Sequence, residues 1–107
     1  MADPLRALGN ETRRDILRLV WDRELPASEI ARRMELSAPA ASQHLRALRE
    51  ADLVAVRVDR NRRLYSVRHD TFDELRTFFE SFWTGGMASL KRAAEDLHGE
   101  RKRGRRR

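Results

Sequence analysis

The tightest constraint on the fold is a change of hydrophobic period in the middle of the chain. Leu45 and Leu48 lie within about 40° of Ala41 on a helix advancing about 100° per residue, while Pro39, Ser42, Gln43 and Arg46 fall on the opposite side. Ser37 is a good N-cap for such a helix, and Pro39 is tolerated in its first turn. After Ala51-Asp52 the period drops to two. Val54, Val56 and Val58 alternate with Ala55 and Arg57, and Tyr65 and Val67 alternate with Leu64, Ser66 and Arg68 beyond the turn Asp59-Arg60-Asn61-Arg62. This predicts a β-hairpin, with the turn type left open because no Asn-Gly pair is present. Just upstream, Pro26 stands at or beside the start of another helix that carries Glu29 in its first turn and presents Ile30 and Met34. Leu36-Ser37 follows so closely that this helix must be short. The pattern is a tight helix–turn–helix followed by a hairpin.

The flanks complete the outline. Pro4 to Leu8 reads as a short opening helix ended by Gly9, and Asn10 caps a second helix from about Glu11 to Asp22 with Ile16, Leu17, Leu19 and Val20 at helical spacing. Asp70, with Asp73 three residues on, opens a last helix whose Phe72, Leu75, Phe79, Phe82, Trp83, Met87, Leu90, Ala94 and Leu97 recur at helical spacing. Gly85-Gly86 interrupts it, predicting a kink, a break, or a neighbour packed too closely for a side chain. The expected architecture is mainly α with a small β-hairpin, a winged helix-turn-helix in the order α1-α2-α3-α4-β-wing-α5. Residues 1–98 are expected to form one DNA-binding and dimerisation domain, and residues 99–107 a disordered basic tail.

Charge is distributed unevenly. The net charge of +6 comes from an arginine-rich tail, a segment at 57–68 with five arginines against Asp59, and an acidic stretch at 69–100; residues 1–56 balance. The basic segment inside the fold is a better signal for nucleic acid than the overall excess. No apolar run approaches the ~20 residues that span a bilayer, and MADPLRALGN has no signal-peptide core, so a cytoplasmic protein without membrane association is expected. The absence of cysteine excludes disulfides, thiolate metal sites and cysteine catalysis.

The helix opened by Ser37 suits the DNA major groove, where short side chains allow close approach and hydrogen bonders read base edges. Ser42 and Gln43 meet that need, and Gln can pair with adenine through two hydrogen bonds. Ser37 and the free backbone amides behind it can hold a phosphate, while Arg46 and Arg49 reach the flanking backbone. At the hairpin tip Arg60, Asn61, Arg62 and Arg63 could meet phosphates or the minor groove. Each piece alone is also what a solvated surface looks like; their order and spacing favour DNA. Enzyme chemistry finds no support. His69 with Asp70 and Asp73 is explained by a helix start, and Gly85-Gly86 is too short and misplaced to cradle a phosphate.

The segments Leu5–Leu19 (LRALGNETRRDILRL), Leu25–Met34 (LPASEIARRM), Leu36–Val54 (LSAPAASQHLRALREADLV) and Arg62–Val67 (RRLYSV) resemble the ArsR family of winged-helix repressors, over roughly residues 4–97. Phe82-Trp83-Thr84 resembles a metal-independent branch of it. The resemblance implies that the Ser37 helix is a recognition helix with Ala38, Pro39, Ser42 and Gln43 at base-facing positions. Ala38 departs from the polar residue often found there. His44 matches a position turned to the interior, read here as a structural histidine on an uncharged packing face. The first and last helices resemble the family's dimer interface, which places Leu5, Leu8, Phe72, Leu75, Phe79, Phe82, Trp83, Met87 and Leu90 at a homodimer contact. The family is known for metal sensing, but this chain has no cysteine between Pro26 and Met34 and only three scattered histidines, His44, His69 and His98, so no metal site and no cofactor are expected. The implied function is sequence-specific binding of double-stranded DNA by a homodimer, repressing transcription at a palindromic operator. A protein-interaction module and a nonspecific nucleic-acid binder driven by the tail are the competing classes.

Overall fold

Three of the helices announce themselves by side chains that satisfy their first free amides. In the computed structural model, which describes residues 2–104, Asp3 accepts from the Leu5 amide at 2.9 Å, Asn10 from Arg13 at 3.0 Å and Ser37 from Ala40 at 3.2 Å. They start α1 (Pro4–Leu8), α2 (Glu11–Leu19) and α4 (Ala38–Glu50). Such a cap contributes about 1 kcal/mol. α3 (Ala27–Met34) has Pro26 at its cap position and no side-chain cap; Glu29 supplies the acid in its first turn instead. β2 (Val54–Asp59), β3 (Arg62–Val67) and α5 (His69–Gly104) follow.

A short strand that the periodicity did not reveal, β1 (Leu25–Pro26), pairs antiparallel with β3 through Leu25 opposite Tyr65 and Pro26 opposite Leu64. The sheet order is β1-β3-β2, which puts Pro26 on an edge strand, where a missing amide is harmless. α2 also ends earlier than expected, at Leu19 rather than Asp22. The Val20 carbonyl, which helix continuation would have used, accepts the Val67 amide at 3.2 Å. Pairing with the distant strand thus stops the helix.

α3 and α4 end in the same way. Glu35 and Asp52 take left-handed φ angles of 56° and 58°, and the next residues, Leu36 and Leu53, donate back to Ala31 and Leu48, each at 2.9 Å. This is the Schellman arrangement, with a leucine turned inward after each helix. The core is built from Ile16 and Val20 of α2 and its end, Ile30 of α3, Leu45 and Leu48 of α4, and Leu53, all less than 2 % exposed. Each such aliphatic contributes roughly 1.5–3 kcal/mol by leaving water.

The residues up to Phe72 form one compact unit and those from Asp73 onward a second. α5 begins one residue before Asp70, whose carboxylate bonds Arg68 at 3.2 and 2.6 Å. The helix continues through Gly85-Gly86 without interruption, and a Cβ built at either glycine would meet nothing within 4 Å. The expected break is therefore absent, and no close neighbour among the described residues accounts for the pair. The helix runs to Gly104 and so overlaps the expected tail at 99–107, of which residues 105–107 lie outside the described residues. In the second unit Phe78 meets Phe82 edge-on at 4.9 Å between ring centres, and Phe78, Phe79, Phe82, Leu90 and Leu97 are exposed. No described helix is long and apolar enough to cross a membrane.

Glu35 occupies a left-handed position with no side-chain partner among the described residues, so Glu35→Gly is expected to stabilise the fold by about 0.5–1 kcal/mol, net of the glycine's extra freedom when unfolded. Asp52→Gly is expected to gain less, because Asp52 also pairs with Arg68 at 3.3 Å. Chemical denaturation of the two variants checks this, and a Glu35→Gly protein less stable than its parent would contradict it.

Candidate nucleic-acid interface

α4 is held by one face and free on the other. Ala41, Leu45 and Leu48 are buried, while Ser37, Ala38, Pro39, Ser42, Gln43, Arg46 and Arg49 are exposed. The expected reading positions therefore share one accessible surface that starts at the Ser37 cap. His44 is half-buried, and its Nδ1 accepts a hydrogen bond from Arg13 Nε of α2 at 3.3 Å. The uncharged packing face expected for this histidine is corrected here, since its partner is a cation. Burial, and then the Arg13 charge, hold the His44 imidazole below its ordinary pKa and keep Nδ1 free to accept.

In the hairpin, Asp59 pairs with Arg62, leaving Arg60-Asn61 as a two-residue loop with Arg60 at a left-handed φ of 59°. The five arginines of this segment separate into two groups. Arg57 makes two 2.9 Å hydrogen bonds to Glu24, and Arg68 bonds Asp70 and Asp52. The Arg57 guanidinium holds the Glu24 carboxyl below its usual range, and Arg68 does the same to Asp70. Among the described residues Arg60, Arg62 and Arg63 have no ion-pair partner and are exposed, as is Asn61. The positive potential of the segment thus resides at its tip. On α3, hydrogen bonds from Arg32 and Arg33 lower the Glu29 pKa to about 2.

Between α4 and β3 lies a groove of about 520 Å³, lined by Ser42, Arg46, Arg49 and Glu50 on one side and Arg63 and Tyr65 on the other. Arg46 Nε is bound to Glu50 Oε1 at 2.9 Å, and both side chains are exposed. Arg63 and Tyr65 are two apart on one strand and share a face, which alternation alone could have indicated. Their meeting with Arg49 depends on how the hairpin packs against α4, which no local pattern encodes.

The residues expected at a dimer contact are scattered over both units. Leu5, Phe79, Phe82 and Leu90 are exposed; Leu8, Phe72 and Leu75 are half-buried; the side chains of Trp83 and Met87 lie outside the described residues. Phe72 packs edge-on against Trp21 at 5.0 Å, and Trp21, also edge-on to His69 at 4.9 Å, is 43 % exposed. Trp21 stands four residues after Leu17, a helical spacing that could have marked it. Among the described residues no three His, Asp or Glu side chains gather into a metal-sized group.

A helix-turn-helix domain model matches residues 8–57. The HTH-type transcriptional regulator Rv2034 of Mycobacterium tuberculosis is 39 % identical over 82 residues, covering 77 % of both chains. The arsenical resistance operon repressor of Staphylococcus aureus is 31 % identical over 71 residues, 66 % of this chain and 68 % of its own. The chain belongs to the ArsR family of winged helix-turn-helix transcriptional regulators. Another relative of this ArsR-family protein, the transcriptional activator HlyU of Vibrio cholerae, is 41 % identical over 63 residues, 59 % of this chain and 58 % of its own. The homodimeric winged helix-turn-helix DNA-binding domain Mb0332 of Mycobacterium bovis superposes with a TM-score of 0.61 at 28 % identity, covering 71 % of this chain and 70 % of its own. The order of helices and the hairpin wing are those the sequence predicted, and β1 adds a third strand to the sheet.

His44 gives this site a pH dependence whose sign follows from its lowered pKa. The unfolded chain binds a proton near the ordinary value of 6.5, and the folded protein does so only at lower pH. Stability is therefore expected to fall as pH drops below about 6.5, and His44→Gln to flatten that slope. An NMR titration of His44 at or above the ordinary value would contradict the assignment.

Proposed function

We propose that this ArsR-family regulator is a sequence-specific, dimeric, metal-independent repressor that occludes a promoter by binding a palindromic operator. The observation that carries the reading is the exposed face of α4, with Ser37, Ala38, Pro39, Ser42 and Gln43 on its first turns, in the same unit as a wing tip whose arginines have no ion-pair partner among the described residues. In this reading Ser42 and Gln43 contact base edges, Ser37 and the amides behind it hold a phosphate, and Arg46 reaches the flanking backbone. Ala38 and Pro39 allow close approach, and Arg60, Asn61 and Arg62 engage phosphates or the minor groove.

The homodimer is built chiefly by α5 and assisted by α1. Support comes from the exposed Leu5, Phe79, Phe82 and Leu90, more apolar surface than a lone small domain usually leaves in water. The Mycobacterium bovis domain, homodimeric by name, agrees. A twofold dimer sets two recognition helices about 34 Å apart on successive major grooves. The repressor direction follows the Staphylococcus aureus relative's name; HlyU, an activator by name, marks the alternative. Independence from metal rests on the complete lack of cysteine and on the scattered histidines.

Gln43→Ala is expected to cost about 1–3 kcal/mol on the cognate operator and to relax preference at one base position. Replacing Arg60 and Arg62 with alanine should instead weaken all sequences alike and reduce the log–log salt slope by about one per lost phosphate contact. If Gln43→Ala and Ser42→Ala both leave affinity and base preference intact in a folded protein, the reading face is elsewhere. Sedimentation at micromolar concentration should show a dimer, and a folded monomer that binds a half-site would rule the dimer out. Zinc should leave operator affinity unchanged; stoichiometric zinc binding that releases DNA would refute metal independence.

A further inference from the structure

The groove between α4 and β3 contains a carboxylate, Glu50, that partly neutralises its arginines. Its three guanidiniums differ in state. Arg49 and Arg63 have no ion-pair partner among the described residues, whereas Arg46 is committed to Glu50 at 2.9 Å, four residues along the same helix. Tyr65 and Ser42 add hydroxyls to the same lining, and Ser42 also belongs to the exposed face of α4. A cleft of about 520 Å³ with this set of donors suits an extended chain of phosphodiesters.

We infer that this groove cradles a stretch of the DNA backbone and that Glu50 sets how tightly it does so. The inference rests on the DNA-binding reading above and adds a residue that opposes binding. Arg49 and Arg63 meet phosphates directly. Arg46 has its Nη donors left for a phosphate while its Nε holds Glu50, which keeps the Glu50 carboxylate beside the polyanion. That carboxylate repels the phosphates and offsets positive charge in the groove, partly cancelling the counterion release that drives association. The effect carries no sequence information. Glu50 therefore lowers affinity for every duplex, restrains occupancy of arbitrary DNA, and leaves base discrimination to Ser42 and Gln43.

The test uses full-length Glu50→Gln and the double variant Arg49→Ala/Arg63→Ala, each titrated with an operator duplex and a random duplex of equal length over a salt series. Glu50→Gln keeps the shape and hydrogen-bonding reach of the side chain and removes its charge. It is expected to tighten binding to both duplexes by about three- to tenfold and to steepen the log–log salt slope by up to about one. The double variant is expected to weaken both duplexes alike and to flatten the slope by about two. A Glu50→Gln protein that binds equally or more weakly, with its folding intact, overturns the role of Glu50. If the wild type prefers the operator and the double variant matches it on both duplexes, DNA does not enter the groove; the inference then fails while the repressor reading stands. A wild type with no preference for any duplex removes the repressor reading itself.

Discussion

The proposed DNA-contacting face depends on α4 being anchored through one side. Leu45 and Leu48 are almost completely withdrawn from water, together with Ile16 and Ile30 from the two preceding helices and Leu53 just beyond. Burial of these five aliphatics at roughly 1.5–3 kcal/mol each fixes the rotation of α4 about its own axis. Rotation is the quantity that matters, because a helix that reads base edges must present the same few side chains each time. The Ser37 cap and the Schellman turn through Asp52 fix where the helix starts and stops. The exposed face of short side chains is thus a consequence of packing on the opposite face.

Electrostatics add a second layer of order. The chain is rich in arginine, yet many of its guanidiniums are satisfied within the fold. Glu24 takes Arg57, Asp52 and Asp70 take Arg68, and Glu29 takes both Arg32 and Arg33. These pairs are solvent-exposed and each contributes little to stability. Their larger effect is on the field around the protein, since they remove positive charge from the base of the wing and from α3 while the wing tip keeps its own. A protein whose arginines were all unpaired would bind any polyanion from every side.

What the sequence disclosed and what it hid divide along sequence separation. Helices α1, α3 and α4 were legible from Pro4 with Gly9, Pro26 and Ser37, and the wing from its alternation, because caps and periodicity are local. β1 was invisible: it has two residues, one of them proline, and becomes a strand only by lying against Tyr65 and Leu64. The early end of α2 depends on Val67, and the state of His44 on Arg13, 31 residues away. The neutralisation of Arg57 by Glu24 spans 33 residues, so the charge count of the 57–68 segment overstated what the wing presents. Ser42 and Gln43 were identifiable from a helical wheel, but the groove that joins Arg49 to Arg63 required the packed structure.

The central claim is that α4 and the wing tip form one DNA-contacting surface, set by the burial of Leu45 and Leu48. Amide chemical-shift mapping on titration with an operator duplex tests it most directly. The account predicts the largest perturbations at residues 37–43 and 60–63, with smaller ones along residues 46–50 and little change through residues 73–97. Perturbations concentrated on α5, with α4 and the wing unmoved, would contradict it.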